Sequence, residues 1–498
     1  MRRVTLNVLC LLVFPLWTLG QDIQVKSIEE ILQPEDSLLY FTMEDFASLV
    51  IANHPVVRQA QMMTDNALEE VRLARGAFDP KLVANWDVKE FKGKEYYNKL
   101  TSELKIPVWF PIDPKIAFDR TTGDFVSPEN QIPADDDFMQ ITAGVSLPIG
   151  RGLFIDQRRA DLQQAQLFTQ ITDAERIKMI NKVLLNATKV YWDWYYQYYN
   201  FKLVDESLVI SEEIYRRVRI DFEFGEAAVV DTVQAAITYQ NRFSDRQESL
   251  INYRRASLML SNFLWSDEKI PLELTERMVP MLELDFLRDV EVSLDSLAEQ
   301  AILRHPELRK LGAKLEQLDV AERLARENLK PRIDLNYNFI NAPISPTGES
   351  AGLRFDDNYK FGVSLEFPLF LRKERAKLRQ TRIKIEQTNF EQDITEQEIM
   401  NGIEAAYFDL ANSQEMIRVV EQAVNNYKIL LEAELLNLSL GESDLFKINF
   451  QQDKLLEAQT KLMKLRSSLE KSRAELYWAA GFEYLKFAPP LEEPINSN

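Results

Sequence analysis

Few of the residue types that do chemistry occur here in usable arrangements. Two histidines are present, His54 and His305, and each stands directly before a proline. An imidazole metal site or proton relay needs its histidines to converge, whereas a histidine before proline suits the turn that starts a helix. The sole cysteine, Cys10, lies inside an apolar N-terminal stretch, leaving no thiol elsewhere for redox or nucleophilic work. Carboxylates are numerous, but no spacing singles out an acid–base pair. Tyr191-Trp192-Asp193-Trp194-Tyr195-Tyr196 offers a platform for a sugar or aromatic ligand. At helical spacing such residues far more often pack against neighbouring helices, and Tyr407-Phe408-Asp409 holds the same place later in the chain. No catalytic, cofactor or metal site is expected. A net charge of −19 argues against a nucleic-acid partner, which would need a basic footprint.

The most distinctive polar groups sit at two turns, Phe224-Gly225-Glu226 and Leu440-Gly441-Glu442. A glycine there suits a left-handed helix end, and the acids that follow, Glu226 and Asp231 or Glu442 and Asp444, favour the next helix through its dipole. The helices these turns join are very long. Phe154–Phe224 contains neither glycine nor proline, Glu226–Ile270 is equally clean, Leu371–Leu440 is broken only by Gly402, and Glu442–Ala480 is clean again. Their apolar residues recur at three- and four-residue steps. Ile448, Leu455, Leu462, Leu469 and Leu476 keep a strict heptad, the mark of left-handed supercoiling. The expected long helices run over about 154–224, 226–265, 371–440 and 442–480.

The chain is a tandem duplication. Asn53-His54-Pro55, Leu73-Ala74-Arg75 and Pro80 match Arg304-His305-Pro306, Leu324-Ala325-Arg326 and Pro331 with a constant offset of 251. Further on, Tyr191, Asp193, Gly225, Glu226 and Leu260 match Tyr407, Asp409, Gly441, Glu442 and Leu476 at an offset of 216. Internal repeats of this kind settle architecture before any single motif does. Each copy holds two stretches of strict apolar–polar alternation, predicting strands at about 81–91 and 138–149, then 332–340 and 357–369. Four strands cannot close a barrel alone, so they form either a soluble sheet or a barrel pooled from several chains. The first copy carries an extra segment over 90–138. Leu100, Ser102, Leu104, Ile106 and Val108 alternate there before Pro111 and Pro114, and it reads as an elaborated loop with a short hairpin of its own.

Residues 1–20 read as a secretory signal: Arg2 and Arg3, an apolar stretch over Leu6–Leu19, and a cut before Gln21. A lipid-bearing cysteine would follow the apolar core, whereas Cys10 lies within it. No later window is apolar for eighteen residues, so no spanning helix is expected. Residues 21–41 form an N-terminal arm, 42–265 the first repeat, 266–296 an equatorial linker, 297–481 the second repeat and 482–498 a tail. The basic run Arg372-Lys373-Glu374-Arg375-Ala376-Lys377 fits a membrane–water interface or a solvated helix start.

As an ordered, duplicated set, the His-Pro helix starts, Gly144-Val145-Ser146-Leu147, Gly362-Val363-Ser364-Leu365 and the Gly-Glu turns resemble the TolC-like outer-membrane efflux proteins, from about Thr42 to Gly481. The resemblance implies a mainly α fold with β. In a homotrimer, four strands per chain would make a twelve-stranded outer-membrane barrel, continued by an α-helical periplasmic barrel. It implies a passive, non-enzymatic exit duct for a tripartite efflux or type I secretion system. A periplasmic adaptor and an inner-membrane RND or ABC transporter would be its partners, with outer-membrane lipid around it. The resemblance also places gate candidates at the periplasmic mouth: Gly225, Glu226, Asp231, Gly441, Glu442 and Asp444. Repeated threefold, those acids would favour cations. Asp231 fits an aspartate that family tunnels carry after this glycine, while Lys447 departs from a second acidic ring. The alternatives are a secreted soluble coiled-coil structural or adaptor protein and a periplasmic hydrolase. Drug, metal and polypeptide export all stay open.

Overall fold

The computed structural model describes residues 38–125, 139–282, 293–340 and 358–482. The expected signal segment, most of the N-terminal arm, part of the linker and the tail after 482 lie outside them. In chain order the elements are β1 (Leu39–Phe41), α1 (Met43–Asn53), α2 (Pro55–Arg75), β2 (Lys81–Phe91), β3 (Lys94–Lys105), β4 (Asp113–Thr122), β5 (Met139–Pro148), α3 (Gln157–Glu223) and α4 (Val229–Ser261). After them come β6 (Met278–Pro280), α5 (Leu294–Arg304), α6 (Pro306–Glu327), β7 (Arg332–Ile340), β8 (Tyr359–Glu366), α7 (Arg372–Ser439) and α8 (Leu445–Ala479).

The two helices of each pair are joined by the same local device. His54 Nδ1 accepts the Val56 N–H at 3.3 Å, His305 Nδ1 accepts the Glu307 N–H at 3.2 Å, and the following proline takes the first helical position. Both rings are thereby helix caps. Burial holds His54 below its usual range and pushes His305 down to about 4.

Helix α3 has 67 residues and, at 1.5 Å per residue, is about 100 Å long. Its first part packs on α2 and α6, where Val71 meets Leu162 and Ala165, and Val320 meets Ile155 and Ala160. Its later part packs on α4 and α8. Helix α7 does the same with α6, α5 and α8. At each level, therefore, four helices lie side by side. At the waist, Tyr191, Trp192, Trp194 and Tyr195 are fully buried. The Tyr191 hydroxyl donates to Phe41 O at 2.8 Å, and Trp194 Nε1 donates to Ser257 Oγ at 3.0 Å. The aromatic run is core. Strand β1 pairs in parallel with β6, tying the arm's last residues to the linker beside this cluster.

The remaining strands form one sheet in the order β2-β3-β4-β5-β7-β8, every neighbouring pair antiparallel. The expectation of four strands per chain is corrected to six, because residues 94–105 and 113–122 are paired strands of the sheet rather than loop. A two-residue turn at Lys92 (φ 54°) and Gly93 (φ 71°) joins β2 to β3. Both residues left-handed is the hairpin turn whose twist matches that of the strands. With lysine in place of the usual Asn or Asp, its sequence signal is weak.

Candidate functional site

Registers across the sheet place most of the apolar alternates on one side. Leu82, Ala84 and Trp86 stand opposite Leu104, Ser102 and Leu100, which stand opposite Ile116, Phe118 and Arg120. Ile116 and Phe118 face Ala143 and Ile141, and Ala143, Val145 and Leu147 face Phe339, Tyr337 and Leu335. These continue to Tyr359, Phe361 and Val363. Most of this face is exposed or half-buried in the isolated chain, with Trp86 72% and Leu365 69% accessible. The opposite face carries Asp87, Lys99, Thr101, Glu103, Lys115, Asp119, Asn336, Asn338, Lys360 and Ser364. Apolar-out, polar-in alternation over strands of about ten residues, tilted some 40°, covers a band roughly 25 Å tall, the height of a bilayer core. The polar groups on the apolar side are managed locally: Trp86 Nε1 donates to Asn98 Oδ1 at 2.8 Å.

Aromatic residues rim both ends of the band. At the far end Tyr337 stacks on Tyr359, centroids 5.7 Å apart, beside Phe339. At the helix end Phe78 and Trp109 pack at 5.9 Å, and Phe110, Phe154, Leu369 and Phe370 are exposed. Such girdles mark the two edges of a membrane. The basic run begins just beyond, with the Arg372 guanidinium 5.1 Å from the Phe370 ring centroid.

The junction of sheet and helix is held by charge. Asp156 caps α3 by accepting the Arg159 N–H at 2.9 Å. Arg158 reaches from the same turn to Asp113 at the foot of β4, at 3.1 Å. Burial alone would raise the Asp156 carboxyl. The Arg159 N–H and the guanidinia of Arg159 and Arg158 outweigh it and hold the group below the usual range.

The six gate candidates all lie at the opposite end, in the two helix-hairpin turns. Gly225 (φ 79°) and Gly441 (φ 75°) adopt the left-handed conformation. Behind them the Glu226 N–H donates to Asp221 O at 2.8 Å and the Glu442 N–H to Asn437 O at 2.9 Å, a Schellman-type closure. Asp231 accepts the Ala228 N–H at 3.1 Å, and Asp444 accepts the Lys447 N–H at 2.9 Å. These two acids serve as caps, while Glu226 and Glu442 are exposed. Side by side, the first turns of α4 and α8 enclose a groove of about 430 Å³ lined by Val230, Val233, Ile237, Phe446, Phe450 and Asp453. Among the described residues no group of three or more His, Cys, Asp or Glu side chains is placed to hold a metal ion. No described helix is long and apolar enough to cross a membrane, which says nothing about strands.

The alternation of β3 was read at Leu100, Ser102 and Leu104 but assigned to a loop, and what residue reasoning missed is β4. Ile116 and Phe118 alternating with Lys115, Ala117 and Asp119 was the available signal, and it is short.

A family profile described as outer membrane efflux protein matches residues 297–482. No curated protein sequence matches the chain. By structure it is similar to the outer-membrane channel OprN, with TM-score 0.64 and 12% identity over 89% of this chain and 90% of that one. It is also similar to the CmeC outer membrane channel of Campylobacter jejuni, with TM-score 0.61 and 14% identity over 89% and 86%. The MtrE outer membrane channel of Neisseria gonorrhoeae gives TM-score 0.62 and 15% identity over 89% of each chain. At these identities the structural likeness is one of fold, and the sequence match rests on the second repeat. Residues 297–482 therefore match the outer membrane efflux protein family by sequence, and most of the chain has the fold of the solved outer-membrane channels.

Proposed function

We propose that three copies of this chain form the passive exit duct of a tripartite efflux or type I secretion system. The sheet sits in the outer membrane and the helices extend through the periplasm toward an adaptor and an inner-membrane RND or ABC pump. The observation that carries this reading is the single phase of apolar and polar residues across the whole sheet, running directly into helices about 100 Å long. A sheet with one mainly apolar face and two open edges is satisfied in lipid only when it closes. The energy for transport comes from the pump, so this component needs no catalytic group.

At the periplasmic mouth, Asp231 and Asp444 place negative charge at fixed positions by their capping role, with Glu226 and Glu442 beside them. Threefold repetition makes an acidic rim that favours cations.

Two measurements test the reading. The full-length protein should fractionate with outer membrane, require detergent for extraction and form cation-selective channels in planar bilayers; a monomer soluble without detergent would overturn it. Replacing Glu226, Asp231, Glu442 and Asp444 by Gln or Asn should lower cation preference, and unchanged selectivity and conductance would remove the acidic rim.

A further inference from the structure

Strands β3 and β4 lie between β2 and β5, where their neighbours on both sides hydrogen-bond to them along nearly their full length. They keep the phase of the flanking strands: Leu100, Leu104, Ile116 and Phe118 on the apolar face, Lys99 and Thr101 on the polar one. A decorative loop has no reason to match the pleat of the wall it decorates. The foot of the hairpin is fixed as well, since Asp113 pairs with Arg158 at the start of α3.

The sheet ends in two free edges, β2 and β8, and these point in opposite directions because the number of strands is even. β8 of one copy can therefore continue antiparallel onto β2 of the next. An insertion of one strand would have made the edges parallel; a hairpin keeps closure possible. Exposed apolar residues such as Trp86 on β2 and Phe361 on β8 put the lipid face in phase across that join.

Arc lengths agree with this count. Four helices per chain at some 9–10 Å spacing cover roughly 38 Å of circumference. Six strands spaced about 4.8 Å and tilted about 40° also cover roughly 38 Å, whereas four cover about 25 Å.

Resting on the three-copy membrane reading above, we infer that the hairpin Lys94–Thr122 is barrel wall, so that three copies close an eighteen-stranded barrel by pairing β8 with the next copy's β2. Its backbone radius is roughly 18 Å, against about 12 Å for twelve strands at the same tilt. The outer opening is then wider than the family's usual wall would give, and it admits bulkier cargo or hydrated complexes without narrowing above the helices.

The test uses the full-length protein in outer membranes, with single cysteines introduced after Cys10→Ser. Leu100→Cys and Phe118→Cys should resist a hydrophilic maleimide, while Thr101→Cys and Lys115→Cys should react through the lumen. Imaging the detergent-extracted particle should count eighteen strands. Equal labelling of both faces, or a twelve-stranded wall with the hairpin outside it, would overturn the inference while leaving the duct intact. A water-soluble monomer would instead sink the reading beneath it. Should a cysteine variant fail to assemble, the strand count on the unmodified protein decides alone.

Discussion

At the scale of single residues, polar groups are spent on starting and ending long helices. Asp156 illustrates this, because it caps α3 while pairing with Arg158 and Arg159. Asp156→Ala should lower stability by about 1–2 kcal/mol, read as a fall in melting temperature of the purified particle. His305 makes a pH-dependent contribution. Its folded pKa of about 4 lies below the unfolded value near 6.5, so the unfolded chain binds the proton first. Stability is fully present above about pH 6.5 and declines as pH falls toward 4. His305→Asn keeps a capping acceptor without the titration, and should flatten the slope of melting temperature against pH in that window. Gly481 (φ 70°) lies against the same ring, where an added Cβ would stand 2.5 Å from His305 Cδ2 and 3.0 Å from His305 Cα. Gly481→Ala should destabilise by about 2–4 kcal/mol. Gly225→Ala meets no atom within 4 Å, so only the left-handed strain of about 1 kcal/mol remains. Melting curves of the two variants should separate accordingly.

At the scale of elements, the long helices were legible because Gly and Pro are absent from them. Their turns were legible because Gly225 and Gly441 stand where a left-handed cap is needed. The strands of the second copy were equally plain, Ile333, Leu335, Tyr337 and Phe339 alternating without interruption. The first copy hid two of its strands. The turn at Lys92-Gly93 lacks the usual Asn or Asp, and the Lys89/Glu90 bulge shifts the pairing just before it. Prolines at 111 and 114 make the start of β4 look like loop, although Pro114 is tolerated opposite Val145. At the tip, position was readable but occupation was not: that Asp231 and Asp444 bond to backbone N–H groups needs coordinates. The faces of the sheet predict asymmetric tolerance. Val363→Lys puts charge toward lipid and should reduce assembled protein, a penalty of about 2–4 kcal/mol near mid-membrane. Ser364→Lys, one residue on, faces the lumen and should assemble normally and change only conductance. Heat-resistant oligomer on gels distinguishes the two.

For the whole molecule, a chain with no membrane-crossing helix among its described residues reaches the membrane through strands that are incomplete alone. The two repeats contribute equally to the helices but unequally to the sheet: the first gives β2, β3, β4 and β5, the second only β7 and β8. The seam between them is tight, since a Cβ on Gly150 would stand 2.0 Å from Pro331 O. Substituting Gly150 by Ala should therefore impair assembly more than Gly362→Ala, where nothing lies within 4 Å. Yield of intact oligomer per cell is the measurement. A lopsided hairpin also changes how the assembly can be counted by whatever touches it. In a three-copy particle the helical tube offers six near-equivalent flanks, two per chain. The rim in the bilayer repeats only three times. A periplasmic partner that reads helices can bind in sixes, whereas anything approaching from outside the cell meets a strictly triangular object.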